Sequence, residues 1–207
     1  DNALIACQNE AAAGQRDAQR TLGTMHALGH GTPVDYSLAA VWWGHAADGG
    51  DADARYRLAE LFDNGRGVAR NRDRATDLYR LAGEAGHLQA QLLLGQRYER
   101  GDGVRKDEAE STGWYRRAAE QGNIRAQGVM AVNYQRGRGV EKDPAEGVRW
   151  LRMAANAGDA EAQYQLGVAY DKGEGVGKSE AEAIKWWEMA AGQGHREARN
   201  ELRKRGR

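Results

Sequence analysis

Cysteine is nearly absent. Cys7 is the single one in 207 residues, so no internal disulfide framework holds the chain together. Excess charge is absent as well: Lys plus Arg number 30 and Asp plus Glu number 30. A formal net charge of zero gives no global field to recruit a polyanion, which argues against nucleic acid as a partner. No stretch approaches the roughly 18 to 20 consecutive apolar residues that cross a bilayer, and no short apolar segment follows basic residues as in a signal peptide. Position 1 is aspartate rather than methionine. A removed leader or a trimmed chain leaves such a start; a periplasmic location is expected, with the cytoplasm as the alternative.

What the chain does have is a period. Ala18, Ala54, Ala90, Ala126, Ala162 and Ala198 fall in step every 36 residues, as do Gly14, Gly50, Gly86, Gly122, Gly158 and Gly194. The pairs Gly29/Gly31, Gly65/Gly67, Gly101/Gly103, Gly137/Gly139 and Gly173/Gly175 keep the same step. A fixed period in this range means units that bury their apolar faces by stacking on one another, so the chain grows as a solenoid.

Each unit reads as two helices. In the third, Ala90, Leu94 and Tyr98 share one helical face, which predicts a first helix over about Leu88 to Arg100. Gly101 and Gly103 stop it, and Val104 plugs the loop, as Val68, Val140 and Val176 do in other units. Asp35, Asn71, Asp107, Asp143 and Ser179 stand where a side chain caps the second helix. Glu110, Glu146 and Glu182 follow at capping-box spacing, and Pro144 takes the first helical position. Large residues then come in pairs (Trp42-Trp43, Leu78-Tyr79, Trp114-Tyr115, Trp150-Leu151, Trp186-Trp187), followed by small pairs such as Ala118-Ala119. The rings supply buried area and the alanines allow close approach. All six tryptophans are therefore expected in the core, and Cys7, in register with Trp43, is expected to be a buried structural thiol rather than a nucleophile.

The pattern Ala-x-x-x-Leu-Gly-x-x-Tyr-x-x-Gly-x-Gly-Val-x-x-Asp-x-x-x-Ala-x-x-Trp-Tyr-x-x-Ala-Ala-x-x-Gly resembles the Sel1-like repeat, a relative of the tetratricopeptide repeat. Five copies cover residues 15–50, 51–86, 87–122, 123–158 and 159–194. Residues 1–14 read as an N-terminal capping helix, and 196–207 as a capping helix with a basic tail of Arg203, Lys204, Arg205 and Arg207. The first copy departs most, with His26 in place of the ring and Gly31-Thr32-Pro33-Val34 in place of Gly-Val. The resemblance implies an all-α fold, an α/α right-handed superhelix of helix-loop-helix repeats whose concave side binds other proteins. In a tetratricopeptide arrangement the groove is lined by first-helix residues outside the packing. These are Asp53, Tyr56, Glu60 and Asp63; Gln89, Leu92, Gln96 and Glu99; Arg125, Gly128, Val132 and Gln135; and Glu161, Tyr164, Val168 and Asp171. Such positions differ between copies while their neighbours stay fixed. Exposed rings with acids suit a protein partner carrying a basic complement.

Other chemistries find less support. Five Gly-x-Gly loops between helices lack the strand that a phosphate-binding turn requires. His26 and His30 have helical spacing, but no carboxylate or cysteine cluster completes a metal site; His87 and His195 share a position at the helix entry suited to capping or to solvent exposure, and His45 to adaptable packing. No catalytic set converges, so no enzyme activity and no cofactor are expected. Bacterial Sel1-like proteins act as envelope adaptors, as virulence-associated binders of host proteins, and as periplasmic immunity proteins that sequester type VI secretion effectors such as lipases. The last role is expected here, for a monomer. The cysteine-rich branch associated with β-lactam binding and hydrolysis carries a cysteine pair in each repeat, which this chain lacks.

Overall fold

The structure is a computed structural model and describes residues 2–206. Asp1 and Arg207, on which the leader reading and the end of the basic run rest, lie outside the described residues. Among those described there are twelve helices and no strand. First helices are α2 (Arg16–Leu28), α4 (Ala52–Asn64), α6 (Leu88–Arg100), α8 (Ile124–Arg136), α10 (Ala160–Lys172) and α12 (Arg196–Lys204). Second helices are α1 (Asn2–Ala12), α3 (Tyr36–Asp48), α5 (Arg72–Glu84), α7 (Glu108–Glu120), α9 (Pro144–Asn156) and α11 (Glu180–Gly192). From α1 to α6, and again from α7 to α12, each helix packs on its neighbour in the chain, the arrangement of an α-solenoid. The helices form two compact units, Asp1–Lys106 and Asp107–Arg207.

The expected caps form. Asp35, Asp107 and Asp143 each accept from two backbone N–H groups of the helix that follows, and Asn71 and Ser179 from one. First helices end on left-handed glycine, as at Gly65 (φ 69°) and Gly137 (φ 70°). Second helices end one residue earlier than their glycine, on Gly49, Ala85, Gln121, Ala157 or Gln193.

The second loop glycine has a different reason to be there. A Cβ on Gly139 (φ 63°) would run into the Glu108 carbonyl, and one on Gly175 (φ 72°) into that of Pro144. At Gly139 and Gly175 the loop of one repeat thus lies on the first turn of the previous second helix, closer than any side chain permits. Thr112 Oγ1 donates to the Arg138 carbonyl across the same junction at 3.1 Å.

Inside each unit the rings meet small residues. Trp43 lies on Gly23 and Trp187 on Gly167, so close that a Cβ at either glycine would sit 2.5 Å from the indole. Each indole N–H donates to a first-helix carbonyl, of Arg20 or Tyr164, at 3.2 Å. In the second and fourth repeats the glycine's position is alanine, Ala59 with Tyr79 and Ala131 with Leu151, while the third keeps glycine, Gly95 with Tyr115. Five of the six tryptophans are buried. Trp42 is only half-buried; with Cys7 it packs against the cluster of Ala11, Ala18 and Leu22. Cys7 is likewise half-buried rather than buried, its thiol 3.5 Å from the Ala18 carbonyl, and burial followed by the charge of Glu10 pushes its pKa up.

Candidate functional site

The residues assigned to the first-helix face divide by what they touch. On α4, Asp53 Oδ2 accepts from Arg57 Nε at 2.8 Å, and its other oxygen lies 3.6 Å from His87 Nε2. Tyr56 stacks on the His87 imidazole, with ring centroids 4.6 Å apart and planes at 19°. The histidine is held from behind, since its Nδ1 accepts from the Ala90 N–H at 3.2 Å and so caps α6. Glu60 is half-buried and hydrogen-bonded by the Tyr56 hydroxyl. Burial pushes the Glu60 pKa up, against the pull of Arg57 and of that hydrogen bond. Asp63 pairs with Arg97 of α6, whose guanidinium also reaches Thr76 Oγ1 at 3.3 Å and lies 4.9 Å from the centre of the Tyr79 ring. Arg97 is 5% exposed. It acts as an internal staple between repeats rather than as a surface charge.

The second unit repeats this arrangement. Glu161 accepts from His195 Nε2 at 3.0 Å, Tyr164 stacks on that ring at 4.7 Å, and His195 Nδ1 caps α12 through the Ala198 N–H. Burial works to raise the Glu161 pKa, but hydrogen bonds from Gln165 and His195 outweigh it and hold the carboxyl below its usual range. Asp171 pairs with Arg205 at 2.8 Å, and Arg205 lies 4.5 Å from the centre of the Trp187 ring. Asp53, Asp63, Glu161 and Asp171 are thus already engaged inside the protein.

Most of the remaining positions are open to solvent, but Val168 packs against the core cluster of Ala183, Trp187 and Leu202. Gln89 and Glu99 on α6 and Arg125 and Val132 on α8 are exposed; Leu92, Gln96, Gln135 and Val168 are half-buried; Gly128 borders open space. They vary in size and charge between copies on a scaffold that does not, which is the composition of a recognition surface. No group of three or more metal-ligating side chains occurs among the described residues.

Two rows of polar residues escaped the sequence reading. Gln19, Arg55, Gln91, Gln127, Gln163 and Arg199 share one repeat position, and each donates to a carbonyl in the last turn of the preceding second helix, at 2.8 to 3.4 Å. They close carbonyls that a helix end leaves open. Arg80, Arg116 and Arg152 donate to the hydroxyls of Tyr98, Tyr134 and Tyr170 at 2.8 to 3.0 Å. Where the ring is Phe62 the arginine's place is taken by Gly44. That paired change was present in the sequence as a signal.

The profile of the Sel1 repeat matches residues 16–51, 52–87, 88–123, 124–159 and 160–195. The chain belongs to the Sel1 repeat family. The repeat profile begins one residue later than the phase chosen from the glycines. Among solved structures, the chain is similar to a protective antigen of uropathogenic Escherichia coli displaying an SLR fold, at 33% identity and a TM-score of 0.77 over 93% of this chain. It spans 41% of the length of that antigen. It is also similar to a Sel1 repeat protein of Oxalobacter formigenes, at 34% identity and a TM-score of 0.74, covering 87% of this chain and 74% of the other. None of the curated proteins matches. Sel1 repeat proteins are typically protein-interaction scaffolds, and their fold generally carries no catalysis.

Proposed function

We propose that this Sel1 repeat protein holds a protein partner along the first-helix face. The observation that carries the reading is the contrast within each first helix. Ala90, Leu94 and Gln91 are locked into the frame, whereas Gln89, Leu92 and Gln96 beside them are at least partly open to solvent. Each unit offers a partner one anchor that is already rigid, Tyr56 in the first and Tyr164 in the second, stacked on a histidine that caps the next helix. The finer reading is a periplasmic immunity protein that sequesters a secreted toxic effector, such as a type VI lipase. It rests on the roles that bacterial Sel1-like proteins play.

Capture of a partner from the source bacterium with the intact chain, followed by affinity measurement on variants, tests the general reading. Replacement of Arg125 and Val132 by Glu is expected to change stability by no more than about 0.5 kcal/mol and to weaken the partner at least tenfold. Unchanged affinity places the interface elsewhere. The immunity reading requires in addition that expression of the chain in the periplasm rescues cells from the captured protein. A captured protein that is harmless to cells overturns it in favour of an envelope or virulence adaptor.

A further inference from the structure

A pocket of about 210 Å³ opens in the first unit between the ends of α2 and α4 and the start of α3. Two cations stand in its wall. Arg66, in the loop after α4, has its guanidinium 5.8 Å from the centre of the Tyr36 ring, and its side chain makes no hydrogen bond or ion pair among the described residues. Arg57 lies 5.8 Å from the centre of the Trp43 ring; its Nε is taken by Asp53, while its terminal amino groups have no hydrogen-bond partner. Aromatic faces under both heads fix their direction without using their N–H groups. The one carboxyl in the wall, Glu60, already accepts from Tyr56. Leu28 edges the pocket with 58% of its surface exposed.

The wall itself holds two cations and one anion, with Asp53 behind Arg57, and the unused N–H donors of both arginines are of the kind that bind a carboxylate. A lysine or arginine entering here meets like charge. The rings and Leu28 offer a surface to an apolar stem, which a bare inorganic anion does not use. Arg57 is paired with Asp53 through Nε alone, and the terminal amino groups of Arg57 and the guanidinium of Arg66 have no hydrogen bond within the protein.

We infer that this pocket receives an Asp or Glu side chain of the partner protein, with an apolar neighbour of that residue resting on Leu28. The inference rests on the protein-binding reading above and gives the charge of the partner at this point. Arg57 and Arg66 supply the N–H donors to the carboxylate, and Trp43 and Tyr36 hold them in place.

The test is a titration of the isotope-labelled full chain, followed through the Trp43 indole and the Arg57 and Arg66 Nε–H resonances. The probes are the blocked tripeptide acetyl-Leu-Glu-Leu-amide, its glutamine and lysine analogues, and sodium acetate. Saturable shifts of these resonances with the glutamate peptide, at least tenfold weaker with glutamine and acetate and absent with lysine, are expected. The shifts should be lost in Arg66→Gln, which breaks no hydrogen bond or ion pair within the fold, and kept in Arg125→Gln. Equal response to the glutamate and glutamine peptides, or to acetate alone, overturns the proposal, as does an undiminished response in Arg66→Gln. Failure of the broader reading has a separate signature, a captured partner whose affinity ignores the α8 substitutions.

Discussion

Gly167 and the indole of Trp187 share one space, and that makes the glycine a packing residue rather than a flexible one. Gly167→Ala puts a methyl group 2.5 Å from a ring that is 1% exposed and hydrogen-bonded to Tyr164. The ring cannot yield cheaply, so a loss of about 1 to 3 kcal/mol is expected. Gly113, exposed on α7 with open space around it, is the control: Gly113→Ala should stabilise by up to about 1 kcal/mol through helix propensity. Urea denaturation of the two variants checks the pair, and equal effects contradict the packing argument. Two glutamates allow a sharper test by pH. Glu60 has its pKa raised in the folded protein, so its contribution is full below the ordinary value of 4.5 and is lost as pH climbs through the raised one. Glu60→Gln is therefore expected to be more stable than the parent near neutrality, with the advantage vanishing in acid. Glu161 is the reverse: its pKa is lowered, its contribution is present above 4.5 and is lost as pH falls through the lowered value. Glu161→Gln should accordingly lose less stability on acidification than the parent does.

At the scale of the helix, the ends matter more than the middles. The caps were legible because Asp, Asn and Ser recur at one spacing, and Asp143→Ala should cost about 0.5 to 2 kcal/mol in a thermal melt. The histidine caps were legible only as a position. That His87 and His195 bind the helix N–H by Nδ1 while stacking on tyrosine requires geometry that spacing does not carry. His87→Asn should keep the cap and retain stability better than His87→Ala. The glutamine row was hidden for a different reason: Gln127 and Gln163 look like surface residues, yet they are 4% and 2% exposed. Gln163 donates to the Ala155 carbonyl at 3.1 Å and accepts from Gln193 at 2.8 Å. Gln163→Leu strands both groups and is expected to cost about 1 to 3 kcal/mol, measured by the same denaturation. A neutral result would mean that water satisfies these groups.

For the whole molecule, the period made the all-helical repeat architecture readable, since equal spacing of alanine and glycine leaves few other ways to bury the rings. The recognition face was readable only as a set of positions. Which of its acids are spent on Arg97 and Arg205 depends on side chains that reach 34 residues along the chain, and each of those arginines looks solvent-facing in sequence. The account's central claim is that first helices recognise and second helices support. Hydroxyl-radical footprinting of the chain with and without its captured partner tests this directly, because both faces carry reactive side chains. Protection of Tyr56, Leu92 and Tyr164 is predicted, while Leu81, Met153 and Met189, exposed at 44%, 46% and 44% on the second helices, stay as reactive as in the free protein. Protection of those second-helix residues, with the tyrosines unchanged, would contradict the account.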